Sequence, residues 1–402
     1  MIDAPGPWGT GPFTLTEGYS SISQRVVVMS ANPFTSAGLI ESEDRSPRLV
    51  LEANRSHWNL ERGPHLERAV FRNDLSPAEA LELCISTEGE MDIVSEVSPA
   101  DADRILASEH ARLVACDANR VLVGIINRSP SDVPLNDKRV RQALNLAIDK
   151  QKIIAQGLGG YANPLCALTP SWCAGFPSDM KGYTHDSGQA RKLLDEVGWP
   201  TGRTLRLAVP APFEGIGRLM ASDIEEALGI GVQVIAVPPE QMLAGSHLLI
   251  EKKLPLPWDI LLAGWFDLSS DSPPAAVHRE FFGSDGAFRA GPELPDFNKL
   301  YIEMAAQIDG QKLVKAAEQI DRYVFDEALA IFLCAPQALY AVNKHVNFGP
   351  YRTALELAET EVDEQHWSRQ NSTARPQPAQ TTHSSASQGS TSFASGSSGN
   401  AC

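Results

Sequence analysis

The chain has 402 residues, a formal net charge of −16 and 43% hydrophobic residues. The acidic charge argues against nucleic acid as a partner, because phosphate binding requires clustered lysine and arginine. The apolar fraction is typical of a chain with a sizeable core, and the length favours two domains or one large one.

Strand-like and helix-like segments alternate in the first part of the chain. Short apolar runs predict strands at residues 26–29, 48–53 and 64–72. Helical spacing of apolar residues predicts helices at residues 76–85 and 137–154. The second helix is the clearest in the sequence, since arginine and lysine occupy the face opposite its apolar residues.

The alternation continues in the second part. Residues 186–197 carry a capping pair, Asp186 and Gln189, and are followed by Gly198, a residue that commonly ends helices. The other predicted elements are strands at 205–209, 232–237, 259–263, 330–333 and 338–343, and helices at 216–228, 296–308 and 312–327. This pattern predicts an α/β fold with helices on a largely parallel sheet.

The two ends of the chain differ from the rest. Residues 371–402 are rich in Ser, Gln, Thr, Ala and Gly, and we predict a disordered tail there. The first eight residues lack the basic start and apolar stretch of a signal peptide. No apolar run approaches the roughly 20 residues of a membrane-spanning helix, so the sequence taken literally predicts a cytoplasmic chain.

The six cysteines show no spacing typical of a metal site. Cys166 and Cys173 flank a short loop and could form a disulfide in an oxidising compartment; two free thiols are an equal alternative. His345, His366 and His383 have no acidic or thiol partner at ligand spacing and are interpreted as surface residues. We predict neither a metal nor a cofactor.

A search for catalytic motifs gives no support for an enzyme. The sequence contains no HExxH, GxSxG or P-loop lysine pattern. Glu88, Glu90 and Asp92 cluster, but on a single turn. No pair of carboxylates has a spacing that singles it out as an acid and base, and we predict that the protein is not an enzyme.

A series of motifs resembles the family 5 bacterial extracellular solute-binding proteins, which bind peptides, glutathione and nickel complexes. The motifs occur in the family's order: PWGTGPF at 7–13, LEANRSHW at 51–58, GPHLERAVF at 63–71, GEMDI at 89–93, LNDKRVRQALNLAI at 135–148, SGQARKLLDEVGW at 187–199 and GWFDLSSDSP at 264–273. Each is moderately specific by itself. The ordered series over most of the chain identifies it as a member.

The resemblance implies a two-lobed, periplasmic-binding-protein-like (type II) clamp that closes on ligand. Residues 1–120 would form a partial lobe I, residues 121–347 lobe II and residues 348–365 a return segment. Members carry a signal peptide and further lobe I sequence before the PWGTGPF motif. We therefore expect an N-terminally truncated member with an incomplete lobe I, whose exposed strand edges favour aggregation.

The resemblance also implies ligand residues in the cleft. Trp265 occupies the position of the family's cleft tryptophan, while Asp267 lies one position before the family's aspartate. A tryptophan with a carboxylate suits an ammonium group; the alternatives are a core tryptophan and a solvated loop carboxylate. Asn127 could position ligand or cap a turn, and Trp172 could face the cleft or fill an exposed loop.

The implied function is that of the solute-binding component of an ABC importer. Its partners would be a small peptide-like or amino-acid-derived solute and the permease subunits, and we expect a periplasmic monomer. The alternative is a cytoplasmic ligand sensor or a non-functional remnant of such a protein, which the missing signal peptide favours.

Overall fold

The computed structural model describes residues 10–18, 47–95, 97–238, 257–266, 275–286, 288–351 and 355–370. The strand predicted at 26–29 and the tail predicted at 371–402 lie outside these residues. So does Asp267.

The described strands form a three-stranded sheet, an eight-stranded sheet and a two-stranded pair. The strands are, in chain order, β1 (Phe13–Glu17), β2 (Arg48–Ala53), β3 (Arg68–Arg72), β4 (Ile93–Ser95), β5 (Ala111–Asp117), β6 (Arg120–Ile126), β7 (Ala162–Pro164), β8 (Leu205–Pro210), β9 (Val232–Val237), β10 (Ile260–Phe266), β11 (Ala330–Asn343), β12 (Val346–Asn347) and β13 (Glu361–Val362).

Described helices lie in six of the connections between successive strands. The described helices are α1 (Pro77–Ser86), α2 (Ala102–Leu106), α3 (Lys138–Ala147), α4 (Lys150–Gly157), α5 (Ser187–Val197), α6 (Glu214–Leu228), α7 (Ala275–Phe282), α8 (Pro295–Ala305), α9 (Gly310–Asp326) and α10 (Trp367–Gln370). Helix α5 confirms the cap prediction: Asp186 accepts a hydrogen bond from the Gln189 backbone, and Gly198 ends the helix at φ +86°.

The prediction of a largely parallel sheet is wrong. The large sheet has the order β4-β11-β6-β10-β8-β9, with β5 and β7 also paired to β11. Only the pairs β10–β8 and β8–β9 are parallel in the described sheet. Strand β6 has antiparallel partners on both sides, β10 and β11.

Two strands predicted at 330–333 and 338–343 are one strand, β11. Pro336 and Gln337 interrupt the apolar pattern between the two predicted strands. In the structure the first half of β11 pairs with β6 and the second half with β5 and β4. Pro336 lies where the partner strand changes, at a position paired with the short strand β7.

The helix predicted at 137–154 is interrupted. Ile148 adopts an extended conformation (φ −94°, ψ 124°) and separates α3 from α4. The Asp149 side chain then caps α4 by accepting hydrogen bonds from the Gln151 and Lys152 amides. A strong capping residue inside an apolar periodic stretch starts a new helix at this point.

Apolar side chains on the two faces of the large sheet form two core clusters. One lies between the sheet and α3–α6, and the other between the sheet and α7–α9. We call residues 120–335 the sandwich. Smaller clusters join α1, α2, β4 and β5 to the second half of β11, and we call residues 77–117 and 337–348 the small body.

The three-stranded sheet β1–β3 meets the rest of the protein near Ala358. The His65 amide donates to the Ala358 carbonyl at 3.4 Å, and Arg62 pairs with Glu356 at 2.6 Å. Trp58, in the segment between β2 and β3, is 77% exposed. Its position makes it a convenient reference tryptophan that lies outside the large sheet.

Candidate functional site

The chain passes between the sandwich and the small body at two adjacent places. Strand β5 ends at Asp117 and β6 begins at Arg120, with Ala118 and Asn119 both buried between them. Strand β11 makes the second passage near Pro336, where the pairing with β6 ends and the pairing with β5 begins. We call this region the crossing.

A hydrogen-bonded hub ties the two passages together. Asp117 Oδ1 accepts from Asn163 Nδ2 at 2.9 Å and from Gln337 Nε2 at 2.9 Å. The Gln337 amide donates to the Tyr161 carbonyl at 3.0 Å. The side chains of Asp117, Asn163 and Gln337 are half-buried, so polar groups from three segments meet at a partly accessible position.

Sequence reasoning missed this hub. Asp117 and Gln337 are 220 residues apart, and no local pattern links them. Arg120, the first residue of β6, is 7% exposed and adds a positive charge at the same end of the strand. The only available signal was the polar stretch that separates two apolar runs on either side of Asn119.

The loop that carries Trp172 lies against the crossing. Cys173 Sγ donates to Asn119 Oδ1 at 3.3 Å, so the neighbouring Trp172, which is half-buried, stands beside the passage from β5 to β6. Part of the Trp172 side chain packs against the core of the sandwich. The structure therefore brings the predicted Trp172 to the crossing.

Two buried charged groups hold the base of this loop. Asp321, fully buried, accepts from the Leu168 amide at 2.9 Å, from the Thr169 hydroxyl and from His278 Nε2, which lies 2.8 Å away. Lys150 donates to the Leu165 carbonyl at 2.9 Å. Burial lowers the pKa of Lys150 to about 8.

The backbone of Trp265 reaches the same end of β6. In the antiparallel register of β10 and β6, Trp265 is opposite Val121 and Phe266 is opposite Arg120. Trp265 is thus paired with a residue that follows Asn119 by two positions. Two of the four predicted site residues, Trp172 and Trp265, are brought to the crossing.

Asn127 lies at the opposite end of β6. Six residues separate it from Val121, which corresponds to about 20 Å along a strand. Its Nδ2 donates to the Trp258 carbonyl at 3.0 Å, and its Oδ1 accepts from the Ser129 amide at 3.1 Å. With 2% of its surface exposed, Asn127 caps the turn that ends β6, the second of the two roles considered for it.

The interpretation of His366 as a surface residue is wrong, and both His366 and His345 have carboxylate partners distant in the sequence. His366 is 3% exposed and its Nε2 lies 3.1 Å from Asp92 Oδ1, which also accepts from Trp367 Nε1 at 3.0 Å. His345 Nδ1 lies 3.0 Å from Asp363 Oδ2. The contacts of His366 and Trp367 tie the end of the described chain to the turn at Asp92. His383 lies outside the described residues.

Cys166 and Cys173 are free thiols in the structure. Among the described residues, no group of three or more His, Cys, Asp or Glu side chains is arranged to hold a metal ion. None of the helices in the described ranges combines the length and the apolar composition that crossing a bilayer demands.

Residues 39–287 match the family model for bacterial extracellular solute-binding proteins, family 5 (middle). The dipeptide-binding protein of Escherichia coli is 26% identical over 205 residues, covering 50% of this chain and 37% of that protein. The "Probable di/tripeptide-binding protein 5" of Pseudomonas aeruginosa is 24% identical over 297 residues, covering 70% and 53%. The chain therefore spans roughly a third to a half of these relatives.

The fold has solved counterparts. The ABC transporter substrate-binding protein CtaP of Listeria monocytogenes superposes with a TM-score of 0.70 at 20% identity, covering 88% of this chain and 67% of that one. Such neighbours are two-lobed periplasmic binding proteins. The predicted two-lobed α/β fold is confirmed.

Proposed function

The chain belongs to the bacterial extracellular solute-binding proteins of family 5, and from this premise we propose that it captures a peptide-like solute at the crossing for an ABC importer. The sandwich is the proposed lobe II, and the small body belongs to the proposed lobe I. The proposed boundary lies at 118–119 and 335–336, so the return to lobe I occurs within β11, earlier than the predicted residue 348.

The observation that carries the proposal is the convergence at the crossing. Two passages of the chain, the hub of Asp117, Asn163 and Gln337, and the loop of Trp172 all meet at one end of β6. Two bodies joined by short adjacent segments can close by a hinge motion, in which a few residues absorb the change in backbone angles. A solute at this place would contact both bodies.

The residues at the crossing suit an amino-acid-derived solute. Trp172 would form an apolar wall, and the carboxylate of Asp117 would attract an ammonium group. Trp265, whose backbone lies at the crossing, is retained as a candidate by the family resemblance, and Asp267 lies outside the described residues. Asn163 and Gln337 can hydrogen-bond peptide groups, because an amide side chain both donates and accepts. We leave Asn127 out of the site, since its amide group already has two partners, the Ser129 amide of its own turn and the Trp258 carbonyl.

The relatives' names support a peptide as the solute class, since two of them are dipeptide- or di/tripeptide-binding proteins. Capture and release require no bond to be made or broken, and we propose that the protein is not an enzyme. The proposed partners are the permease subunits of the importer, and the proposed location is the periplasm.

A thermal-shift screen of the full chain with dipeptides and tripeptides tests the proposal. A ligand at 100 times its Kd stabilises the native state by about 2.7 kcal/mol, which raises the melting temperature by several degrees. We expect a rise with at least one peptide, and with Trp265→Ala a Kd about tenfold weaker by fluorescence titration.

Trp58→Ala is the matched control, because Trp58 is exposed and lies outside the large sheet. It should bind the same peptide with unchanged affinity. The absence of any peptide-dependent shift across the screen would refute peptide capture by this chain. Equal affinities of the wild type and Trp265→Ala would remove Trp265 from the site.

A further inference from the structure

Arg128, the second residue after β6, has a largely buried side chain with few protein partners, and its unpaired nitrogen atoms keep contact with solvent. The residue is 5% exposed. Its Nη2 donates to the Pro292 carbonyl at 3.3 Å, and the described residues provide no other hydrogen bond or ion pair for this side chain. A guanidinium carries five N–H donors, so most of the donors of Arg128 have no protein acceptor within the described structure.

The surroundings of Arg128 are positively charged. Burial lowers the pKa of Arg128 to about 10, and the nearby Arg141 and Arg289 act in the same direction, whereas Tyr323 opposes them. The donors of Arg141 are engaged by backbone carbonyls at the C-terminal end of α9 and before α3, including those of Glu327 and Asn136. The donors of Arg141 therefore have acceptors, whereas Arg128 has only the Pro292 carbonyl.

Arg289 is the second available cation. Its closest described carboxylate is that of Glu293, at 4.0 Å, and Glu293 is itself 64% exposed. The segment of Arg289 runs beside Arg128, since the Arg128 amide donates to the Ala290 carbonyl at 3.2 Å. Neither guanidinium has a carboxylate within hydrogen-bond distance among the described residues.

Gly291 permits this close approach. It has φ +138°, and a Cβ added there would lie 2.8 Å from Arg128 Cβ and 3.0 Å from Arg128 Cζ. The backbone at residues 289–292 thus lies directly on the Arg128 side chain, and a larger residue at 291 would displace it. The arrangement is built around an arginine whose charge the described chain leaves uncompensated.

We propose that Arg128 and Arg289 bind a small oxyanion, a carboxylate or a phosphate group, at the end of β6 remote from the crossing. A buried cation is costly unless a counter-charge or acceptors compensate it. Two guanidiniums that lack a carboxylate partner match an anion with two or more oxygen atoms, which can accept from both.

The test is a titration of the full chain with inorganic phosphate and, separately, with succinate, at ionic strength held constant with sodium chloride. We expect a saturable rise in melting temperature with at least one of them, and the stronger one identifies the group. Arg289→Gln should weaken the apparent affinity about tenfold, since it removes one of two charge-assisted partners.

Arg218→Gln is the matched control, because Arg218 is an exposed arginine of α6 paired with Glu214; it should leave the affinity unchanged. Arg128→Met should abolish the rise. If that variant does not fold, Arg289→Gln and Gly291→Ala still test the proposal, because both substitutions change the site from a neighbouring segment.

A rise that sodium chloride alone reproduces, or one that is equal in Arg289→Gln and the wild type, overturns the proposal. So does the absence of any saturable effect of either anion. The outcome is independent of solute capture at the crossing: Trp265→Ala should retain the anion effect, and Arg289→Gln should retain any peptide-induced shift.

Discussion

The two ends of β6 differ in how their polar groups find partners. At the far end, Asn127 bonds the Ser129 amide of its own turn and the Trp258 carbonyl, and the buried Asp259 receives hydrogen bonds from two arginines of the same body. At the crossing, Asp117, Asn163 and Gln337 are half-buried and bond one another across two bodies. Apart from the Arg128 guanidinium, the polar groups at the far end find partners within the sandwich, whereas those at the crossing join separate parts.

This difference indicates which end can move. Opening the far end would expose or unpair buried charges, which is costly. Rearranging the crossing would exchange a few half-buried hydrogen bonds, each of which contributes only about 1 kcal/mol. A hinge is therefore compatible with the crossing, and a rearrangement of the far end is the costlier of the two.

The largest expected effect concerns Asp259. Asp259→Ala should lower the free energy of unfolding by about 3–5 kcal/mol, because it leaves Arg203 and Arg206 without their buried counter-charge. Urea denaturation measures the change in the free energy of unfolding. Asp132→Ala is the control, since Asp132 is an exposed partner of the same Arg203 and its loss should barely move the midpoint. A small effect of Asp259→Ala would remove the contrast between the two ends.

The stabilising effect of Asp259 should also depend on pH. Burial alone would raise the pKa of Asp259, but hydrogen bonds from Arg206 and Arg203 outweigh it and hold the pKa below its ordinary 3.8. A depressed folded-state pKa contributes stability at neutral pH that is lost as the pH falls through that value. The stability difference between the wild type and Asp259→Ala should therefore shrink below about pH 4.

The next effect concerns the loop that carries Trp172. Asp321→Ala removes the acceptor for four donors: the Leu168 and Thr169 amides, the Thr169 hydroxyl and His278 Nε2. It should lower the free energy of unfolding by about 3 kcal/mol and weaken peptide binding by loosening the loop. Asp326→Ala, on the same helix but exposed, is the control for both measurements. Unchanged binding in Asp321→Ala would show that the loop does not contribute to the crossing site.

The lowered pKa of Lys150 predicts that the protein becomes more stable at alkaline pH. Its pKa is about 8 in the folded protein and 10.5 ordinarily, so between these values the unfolded chain binds more protons and stability rises with pH. The rise from pH 8 to 10 should be about 2 kcal/mol in the wild type relative to Lys150→Met. Lys152→Met is the control and should keep the rise, since Lys152 pairs with Asp223 instead.

The smallest effect on stability belongs to the crossing itself. Asp117→Asn keeps an acceptor for Asn163 and Gln337, and should change the free energy of unfolding by about 1 kcal/mol or less. Its effect should appear in solute affinity, because the charge facing an ammonium group is lost. Asp103→Asn, an exposed substitution on α2, should change neither quantity. A large loss of stability in Asp117→Asn would show that the hub is rigid and would argue against a hinge at the crossing.

Much of the fold could be predicted from local sequence. The cap at Asp186 and the stop at Gly198 determine the ends of α5 within a few residues, and the ordered motifs identify the two-lobed fold. Strand β11 could not be predicted as one element, because Pro336 and Gln337 break its apolar pattern. Its continuity depends on pairing with strands far away in the sequence.

The candidate site was predictable only in part. Trp172 and Trp265 were found by resemblance, and both lie at the crossing. Asp117 and Gln337, 220 residues apart, meet only through the register of β5 with β11. Asn127 matched the family in position, yet its neighbours occupy its amide. A family position therefore names a candidate, and the contacts around it decide its role.

Hydrogen–deuterium exchange tests the central claim, that solute binds at the crossing. The full chain would be compared with and without the peptide that gives the largest thermal shift. We predict slower exchange at residues 117–121, 161–164 and 335–338, and unchanged exchange at residues 127–130 and 257–260. Protection confined to the far end of β6, or saturating binding with no protection at the crossing, would contradict the account.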